Sequence, residues 1–221
     1  MQALLVIAFF ACAFVDWLAV SGQNRRLEYI AKPATLAILL LFATTGSHPS
    51  GWLIAAVTFS MLGDVYLMLP SDVFAAGLGA FLLAHLSYIA AFGAASRLRL
   101  PWMVVLLVAT YPLTRRILAA VRAGSFDKRS PSPDEPAETT PTAPSQAVVL
   151  AVATYIVVIS LMVGSAFASG GVLASLGALL FLVSDGILAW NRFVYPLRNA
   201  RLAVIVTYHL GQFALVTALR S

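Results

Sequence analysis

Residues 59–68 read FSMLGDVYLM and residues 177–186 read GALLFLVSDG. Each stretch places a single carboxylate, Asp64 or Asp185, inside a run that is apolar enough to cross a bilayer. An ionisable group at membrane depth is energetically expensive, so it is expected to face a protein interior or a wet cavity and to serve a function. The sequence therefore predicts a membrane protein whose functional centre contains two carboxylates.

The composition excludes an ordinary soluble domain. Of the 221 residues, 61% are hydrophobic and 10% are charged, whereas about 25% of the residues of a soluble domain are charged. The net charge of +5 could suggest a nucleic-acid partner, but the Lys and Arg residues lie in short connections between apolar runs, as in membrane proteins. We therefore expect a lipid bilayer and no nucleic acid as partner. The single cysteine, Cys12, cannot form an intramolecular disulfide, and the sequence does not indicate the oligomeric state.

Eight apolar segments are long enough to cross a bilayer at roughly 20 residues per crossing. Pro33 is expected in the first turn of the second helix, where proline is tolerated, and Pro112 should kink the fifth. The first segment lacks a basic region and contains Asp16, which favours a retained helix over a cleaved signal peptide. The fold class is thus all-α, a polytopic bundle forming a single membrane domain over residues 1–221. We expect its helices near residues 2–20, 30–45, 51–69, 73–95, 100–121, 147–168, 171–190 and 200–219.

Residues 122–146 differ in kind from the rest of the chain. They are rich in Pro, Ser, Thr and acidic residues, a composition that cannot bury enough apolar surface to fold. We expect a disordered cytoplasmic linker without chemistry of its own. Ser71 or Asp72 is expected to cap the fourth helix.

The basic residues predict an orientation in the membrane. Eleven Lys and Arg residues fall in one set of alternate connections, and only Arg97, Arg99 and Arg220 fall in the other. Because cytoplasmic connections carry the excess of Lys and Arg, we expect both termini outside the cytoplasm, in a bacterial plasma membrane.

Further polar residues lie within or beside the apolar segments. Helical spacing puts Ser60 and Asp64 on one face of the third helix, and His85 and Tyr88 on one stripe of the fourth. Serines in such helices are more often helix–helix contacts than nucleophiles, and neither Ser60 nor Ser184 lies in a GxSxG motif. The other candidates lie on later helices or near span ends: Ser184, Tyr208, Gln212, Lys32, Asn191 and Arg192.

Several polar residues of the apolar segments also have a simpler interpretation. Lys32 and Arg192 are typical of topology signals or lipid headgroup contacts. Tyr155 is typical of a packing residue, and Asp16 is compatible with a position near the outer membrane interface. His85, His209 and the two buried aspartates could supply zinc ligands. However, the chain has no local metal-binding spacing, so we expect no metal and no other cofactor.

Five segments, in order, resemble the YhhN-type lysoplasmalogenase family: YIAKP at 29–33, SMLGDVYLM at 60–68, FAAGLGAFLLAHLSY at 74–88, GALLFLVSDGILA at 177–189 and TYHLGQ at 207–212. The resemblance covers nearly the whole chain apart from residues 122–146. His209 departs from the family pattern, which commonly has a second tyrosine there. The resemblance implies a multispan hydrolase that cleaves the vinyl ether bond of a lysophospholipid, lysoplasmenyl-choline or -ethanolamine. The implied products are a fatty aldehyde and glycerophosphocholine or glycerophosphoethanolamine.

The implied chemistry suits a pair of carboxylates. Protonation of the β-carbon of a vinyl ether gives an oxocarbenium ion that water captures, and glycosidases solve a related problem with two carboxylates up to about 10 Å apart. Two carboxylates that share a buried site titrate at different pH values, so one can hold a proton. We therefore expect Asp64 and Asp185 to be the catalytic pair.

The remaining candidates are expected to bind the substrate. Lys32 and Arg192 would contact the lipid phosphate through charge-assisted hydrogen bonds. The others would orient water and lipid: His85, Tyr88, Tyr208, Gln212, Asn191 and Ser184.

Two other function classes stay open. Carboxylates and histidines at membrane depth also mark the proton relays of transporters, although the chain shows no convincing duplication of halves. A zinc-dependent lipid amidase resembling the alkaline ceramidases would lose activity with a chelator. A purely structural membrane protein accounts for the charge pattern but not for the buried carboxylates.

Overall fold

The computed structural model describes residues 1–46, 49–69, 73–93, 99–124 and 146–220. The described residues form eight α-helices, each long and apolar enough to cross a membrane, and no strand. The prediction of an all-α fold with eight candidate spans is therefore confirmed. The helices are α1 (Gln2–Ser21), α2 (Arg25–Thr44), α3 (Gly51–Met68), α4 (Phe74–Ala91), α5 (Arg99–Arg122), α6 (Gln146–Ala168), α7 (Val172–Ala189) and α8 (Ala200–Leu219), and a π-helical turn, Trp190–Val194, extends α7.

The main difference from the predicted spans is the start of α2, which begins five residues early. The Asn24 side chain accepts a hydrogen bond from the backbone N–H of Leu27 and so satisfies one of the free donors at the helix start. Pro33 consequently lies inside the helix, and its predicted position in the first turn is wrong. The cap at Asn24 outweighs the preference of proline for a helix start.

The structure also shortens α4, which ends at Ala91. Gly93 follows with φ +75°, a left-handed conformation that glycine adopts without steric cost. Val73 takes the N-cap position of α4 without a side-chain hydrogen bond, so the predicted cap by Ser71 or Asp72 is wrong. The interior of the predicted linker, residues 125–145, lies outside the described residues. On either side of it, α5 stops at Arg122 and α6 starts at Gln146, and the disordered cytoplasmic linker stays a prediction.

Contacts between helix ends show that α1 and α2 run in opposite directions and that α8 runs parallel to α2. At one end, Gln2 Nε2 donates to the Thr45 carbonyl and Arg220 Nη1 donates to the Phe42 carbonyl, both at 3.2 Å. At the other end, Arg201 binds Glu28 and so joins the starts of α8 and α2. We call this second end the basic end, because it carries most of the described Lys and Arg residues: Arg25, Arg26, Lys32, Arg115, Arg116, Arg122, Arg192, Arg198 and Arg201.

Glycines let the central helices approach closely. A Cβ atom at Gly177 would lie 2.8 Å from the Leu215 backbone nitrogen, and one at Gly211 would lie 2.9 Å from the Gly177 carbonyl oxygen. Small residues of this kind allow helix backbones to touch in a membrane. On α3, a Cβ at Gly63 would lie 2.6 Å from the Phe81 ring. The α7–α8 and α3–α4 pairs therefore bring the segments that carry Asp185 and Asp64 into the middle of the bundle.

We expect Gly177→Leu to lower the thermal stability of the purified protein in detergent. The new side chain has no space against the α8 backbone, and overpacking costs about 1–3 kcal/mol. Gly51→Ala is the control, because a Cβ at Gly51 meets nothing within 4 Å. Equal melting temperatures for Gly177→Leu and the parent protein would show that α7 and α8 do not pack in this way.

Candidate active site

Asp64 on α3 forms a buried ion pair with Lys32 on α2. Its Oδ1 atom lies 3.0 Å from Lys32 Nζ, and the residue is 2% exposed. Two charges in an apolar interior are stable only as partners, because removing one leaves the other uncompensated. The second oxygen, Oδ2, is buried and makes no hydrogen bond to the described residues. It is therefore the atom of Asp64 that remains able to hold water or substrate.

Hydrogen bonds link α3, α4 and α8 close to this ion pair. The Tyr88 hydroxyl donates to Gln212 Oε1, and Gln212 Nε2 donates to Ser60 Oγ at 2.7 Å. The Tyr208 hydroxyl, one turn before Gln212, is buried near Asp64 and makes no hydrogen bond to the described residues. The structure thus brings together three of the predicted site residues, Tyr88, Tyr208 and Gln212, around Asp64 and Ser60.

Asp185 on α7 has different partners. The Tyr155 hydroxyl donates to its Oδ2 atom at 2.5 Å, and His85 Nε2 lies 3.6 Å from the same oxygen, which is too far for a hydrogen bond. His85 Nδ1 lies 2.5 Å from the Phe81 carbonyl oxygen. Because a carbonyl only accepts, Nδ1 carries a hydrogen, and in the neutral ring Nε2 offers a lone pair to Asp185. A closer approach of the two side chains would let a proton pass between them.

An aromatic cluster connects the two carboxylate groups. The Phe181 ring packs edge to face on Tyr208 and on His85, with centroid distances of 5.3 Å and 4.7 Å. The Tyr208 side of this cluster adjoins Asp64, and its His85 side adjoins Asp185. Each carboxylate therefore has its own polar partners, and their cooperation as a catalytic pair stays a prediction.

Two internal spaces of different character meet beside these groups. Asp185 and Tyr155 line an apolar slot of about 90 Å³ among α4, α5, α6 and α7. Lys32 lines a polar cavity of about 690 Å³ at the basic end. Phe74 and Phe193 line both spaces, so the polar cavity and the apolar slot adjoin. The other charged and amide side chains of the polar cavity are Arg25, Glu28, Asn191, Arg192 and Arg201.

The remaining predicted site residues lie along α7 and its π-helical turn. Ser184 Oγ donates to the Val204 carbonyl at 3.0 Å, a contact that joins α7 to α8. Asn191 Oδ1 accepts a hydrogen bond from the Leu197 backbone and shapes the wall of the polar cavity. The Arg192 guanidinium lies 5.1 Å from the Phe74 ring centroid, a cation–π distance.

The sequence reasoning missed two buried acidic residues. Asp16 on α1 is fully buried within the bundle, and neither carboxylate oxygen finds a hydrogen-bond partner among the described residues. Its expected position near the outer membrane interface stays a prediction. Glu28 is held by Arg201 Nη2 at 2.7 and 2.6 Å from its two carboxylate oxygens. The spacing of Glu28 four residues before Lys32 puts both on one helix face, and this was the only available signal.

Tyr155 was interpreted as a packing residue, because nothing in its local sequence distinguishes it from one. His209, which departs from the family pattern, accepts a hydrogen bond from Trp17 Nε1 at 3.1 Å. Within the described ranges, no three His, Cys, Asp or Glu side chains converge as a metal-binding group would require.

We expect Lys32→Met to destabilise the protein by about 3–5 kcal/mol, because Asp64 would lose its buried partner. The double variant Lys32→Met/Asp64→Asn should recover part of that loss, since both charges are then gone. Thermal unfolding of the parent, the two single variants and the double variant in one detergent measures the coupling. Purely additive losses would contradict the ion pair.

The comparisons with known proteins agree with the resemblance found in the sequence. The YhhN family model matches residues 27–219. The chain is 34% identical over 216 residues to lysoplasmalogenase TMEM86B of Mus musculus, which covers 96% of this chain and 84% of the relative. It is 34% identical over 167 residues to lysoplasmalogenase TMEM86B of Homo sapiens, covering 75% of this chain and 62% of the relative.

A bacterial relative is similar at the same level. The chain is 33% identical over 185 residues to the lysoplasmalogenase of Mycobacterium bovis, which covers 77% of this chain and 61% of the relative. No solved structure matches the chain significantly. Since the family match extends from α2 to the end of α8 and most of the mouse relative aligns, this chain belongs to the YhhN family.

Proposed function

We propose that this protein is a lysoplasmalogenase-like membrane hydrolase that cleaves the vinyl ether bond of lysoplasmenyl-choline or -ethanolamine. The observation that carries the proposal is the position of the Asp185 carboxyl, held by Tyr155 at the wall of an apolar slot that adjoins a basic polar cavity. A lysophospholipid has the matching two halves, a hydrocarbon chain and a phosphate. Relatives named lysoplasmalogenase support the same reaction.

In the proposed reaction Asp185 is the acid. It donates its proton to the β-carbon of the vinyl ether, and the π electrons of the double bond form the new C–H bond, leaving an oxocarbenium ion. Water adds to the cationic carbon, and a carboxylate takes the proton that this water loses. The hydroxyl of the resulting hemiacetal then loses its proton and its oxygen forms the carbonyl of the fatty aldehyde. The bond to the glycerol oxygen breaks at the same time, and that oxygen takes up one proton. Water is the only co-substrate.

The two carboxylates suit different roles in this scheme. Asp185 lines the apolar slot, where a vinyl ether would lie, and His85 beside it can exchange its proton. Asp64 is charge-compensated by Lys32, and its free oxygen together with Tyr208 would orient water and stabilise the developing cation. Tyr88 and Gln212, through their hydrogen bonds, would hold Ser60 and α8, the helix that carries Tyr208, in position around Asp64.

Lys32, Asn191 and Arg192 are proposed to bind the headgroup. Arg192 follows Asp185 by seven residues, about 10 Å along a helix axis. Seven bonds separate the phosphorus from the β-carbon in the lipid, roughly 9 Å when extended with standard bond lengths. A phosphate bound at Arg192 would therefore leave the reacting carbon close to Asp185.

We expect the purified protein in detergent to release aldehyde from a lysoplasmenyl lipid, and not from its 1-acyl or 1-alkyl counterparts. Asp64→Asn and Asp185→Asn should each lower kcat at least about 100-fold, the usual effect of removing an acid–base group. Gas chromatography of the aldehyde gives the rate, and thermal unfolding shows whether each variant is folded.

A chelator separates this route from the zinc alternative. The carboxylate mechanism keeps its rate in EDTA, whereas loss of activity that added zinc restores would favour a metal-dependent hydrolase. A folded parent protein that releases no aldehyde would defeat the proposed function.

The basic end is proposed to face the cytoplasm, with both termini outside. The described residues of the opposite end carry two basic side chains, Arg99 and Arg220, against the nine of the basic end. A cytoplasm-active reporter should therefore be inactive when fused after Ser221 and active when inserted within residues 125–145. Activity of the C-terminal fusion would reverse the orientation.

A further inference from the structure

We propose that a groove between α4 and α6 binds the hydrocarbon chain of the lipid, and that the lipid reaches Asp185 sideways through this groove from the bilayer. The identity of the lipid rests on the proposed function. The position of the groove does not, because it follows from the arrangement of the helices.

The groove has the size and the composition of a chain-binding site. Its volume is about 680 Å³, within the range of about 300–1,000 Å³ typical of small-molecule sites. It opens on the lipid-facing surface, where Leu150 is 67% exposed. Small residues widen it on both helices: Ala75 and Gly79 on α4, and Ala147 and Ala151 on α6. A Cβ at Gly79 would meet nothing within 4 Å, so this space is open.

The groove leads directly to the proposed acid. Leu78, Val152 and Tyr155 line both the groove and the apolar slot, and the Tyr155 hydroxyl binds Asp185 at 2.5 Å. The slot itself is small, about 90 Å³, against about 680 Å³ for the groove. In this proposal the slot takes the vinyl ether segment and the groove takes the rest of the hydrocarbon chain.

The groove also adjoins the headgroup cavity. Arg192 lines both the groove and the polar cavity, together with Phe74 and Phe193. Bulk lipid can fill any groove that faces a bilayer, because its chains are as apolar as the groove. A groove that shares Tyr155 with the carboxyl-bearing slot and Arg192 with the basic cavity instead fixes where the reacting bond and the phosphate of its occupant lie.

The test fills the groove at Gly79. Gly79→Phe should displace part of a long chain, and each methylene displaced lowers affinity about fourfold. We expect kcat/KM for a long-chain lysoplasmenyl lipid to fall at least about fifteenfold, the effect of two methylenes, while a short-chain analogue is turned over at the parental rate. Ala76→Phe is the matched control, because Ala76 lies on the same helix, is exposed and lines none of the three spaces.

A binding experiment separates this inference from the proposed reaction. A 1-O-alkyl lysophospholipid with a photoactivatable group in its chain has no vinyl ether, so it reports occupancy without turnover. In nanodiscs we expect it to label residues 74–82 and 147–155 of the parent and of Ala76→Phe, but not of Gly79→Phe. Excess unlabelled long-chain alkyl lysophospholipid should abolish the labelling, and excess diacyl phospholipid should not.

The outcomes are distinct. Labelling of the groove that alkyl lysophospholipid abolishes, without any aldehyde release, would contradict the proposed reaction and support the groove as a lysolipid site. If diacyl phospholipid removed the labelling as well as alkyl lysophospholipid does, the groove would hold only bulk lipid, and the inference would be overturned. Aldehyde release with an unchanged long-chain kcat/KM in Gly79→Phe would also overturn it, while leaving the proposed reaction standing.

Discussion

The Lys32–Asp64 ion pair is the contact on which the rest of the site depends. A carboxylate at this depth in an apolar bundle is tolerated only with a compensating charge, and Lys32 supplies that charge at 3.0 Å. The pair ties α2 to α3 near the basic end, beside the polar cavity that Lys32 lines. Lys32 therefore compensates the charge of Asp64. Asp185, on the other side of the aromatic cluster, is the carboxyl that faces the apolar slot.

Helix packing brings these charges together. The glycine contacts between α7 and α8 bring the helix that carries Asp185 against the helix that carries Tyr208 and Gln212. Gly63 likewise lets the Phe81 ring lie against α3, next to Asp64. Lipid solvates the outside of a membrane bundle as well as another helix would, so close backbone contact of this kind, and not hydrophobic burial, holds the helices in register.

The sequence predicted the helices and the two intramembrane aspartates well, because both signals are local. A run of about 20 apolar residues means a span wherever it occurs, and a carboxylate inside one is expensive wherever it lies. The partners were harder to predict, since they come from other helices. Tyr155 meets Asp185 across 30 residues of sequence, and Gln212 meets Ser60 across 152.

The errors have physical causes as well. The burial of Asp16 could not be predicted from the sequence, because it results from the packing of α1 on other helices, among them α2 and α8. The start of α2 was misjudged because the Asn24 side-chain bond is a stronger start signal than the proline nine residues later. Ser184 binds the Val204 carbonyl, a partner on another helix that its local sequence does not indicate, and its role as a substrate ligand stays a prediction.

The hydrogen bond from His85 Nδ1 to the Phe81 carbonyl has one more consequence. Its acceptor belongs to the main chain of the same helix, one turn earlier, and not to a side chain. The ring orientation and the position of its hydrogen are therefore set by helix geometry, which every residue type at position 81 provides. A substitution at position 81 that preserves the helix therefore changes the packing around His85 but leaves this hydrogen bond in place, with Nε2 still directed at Asp185.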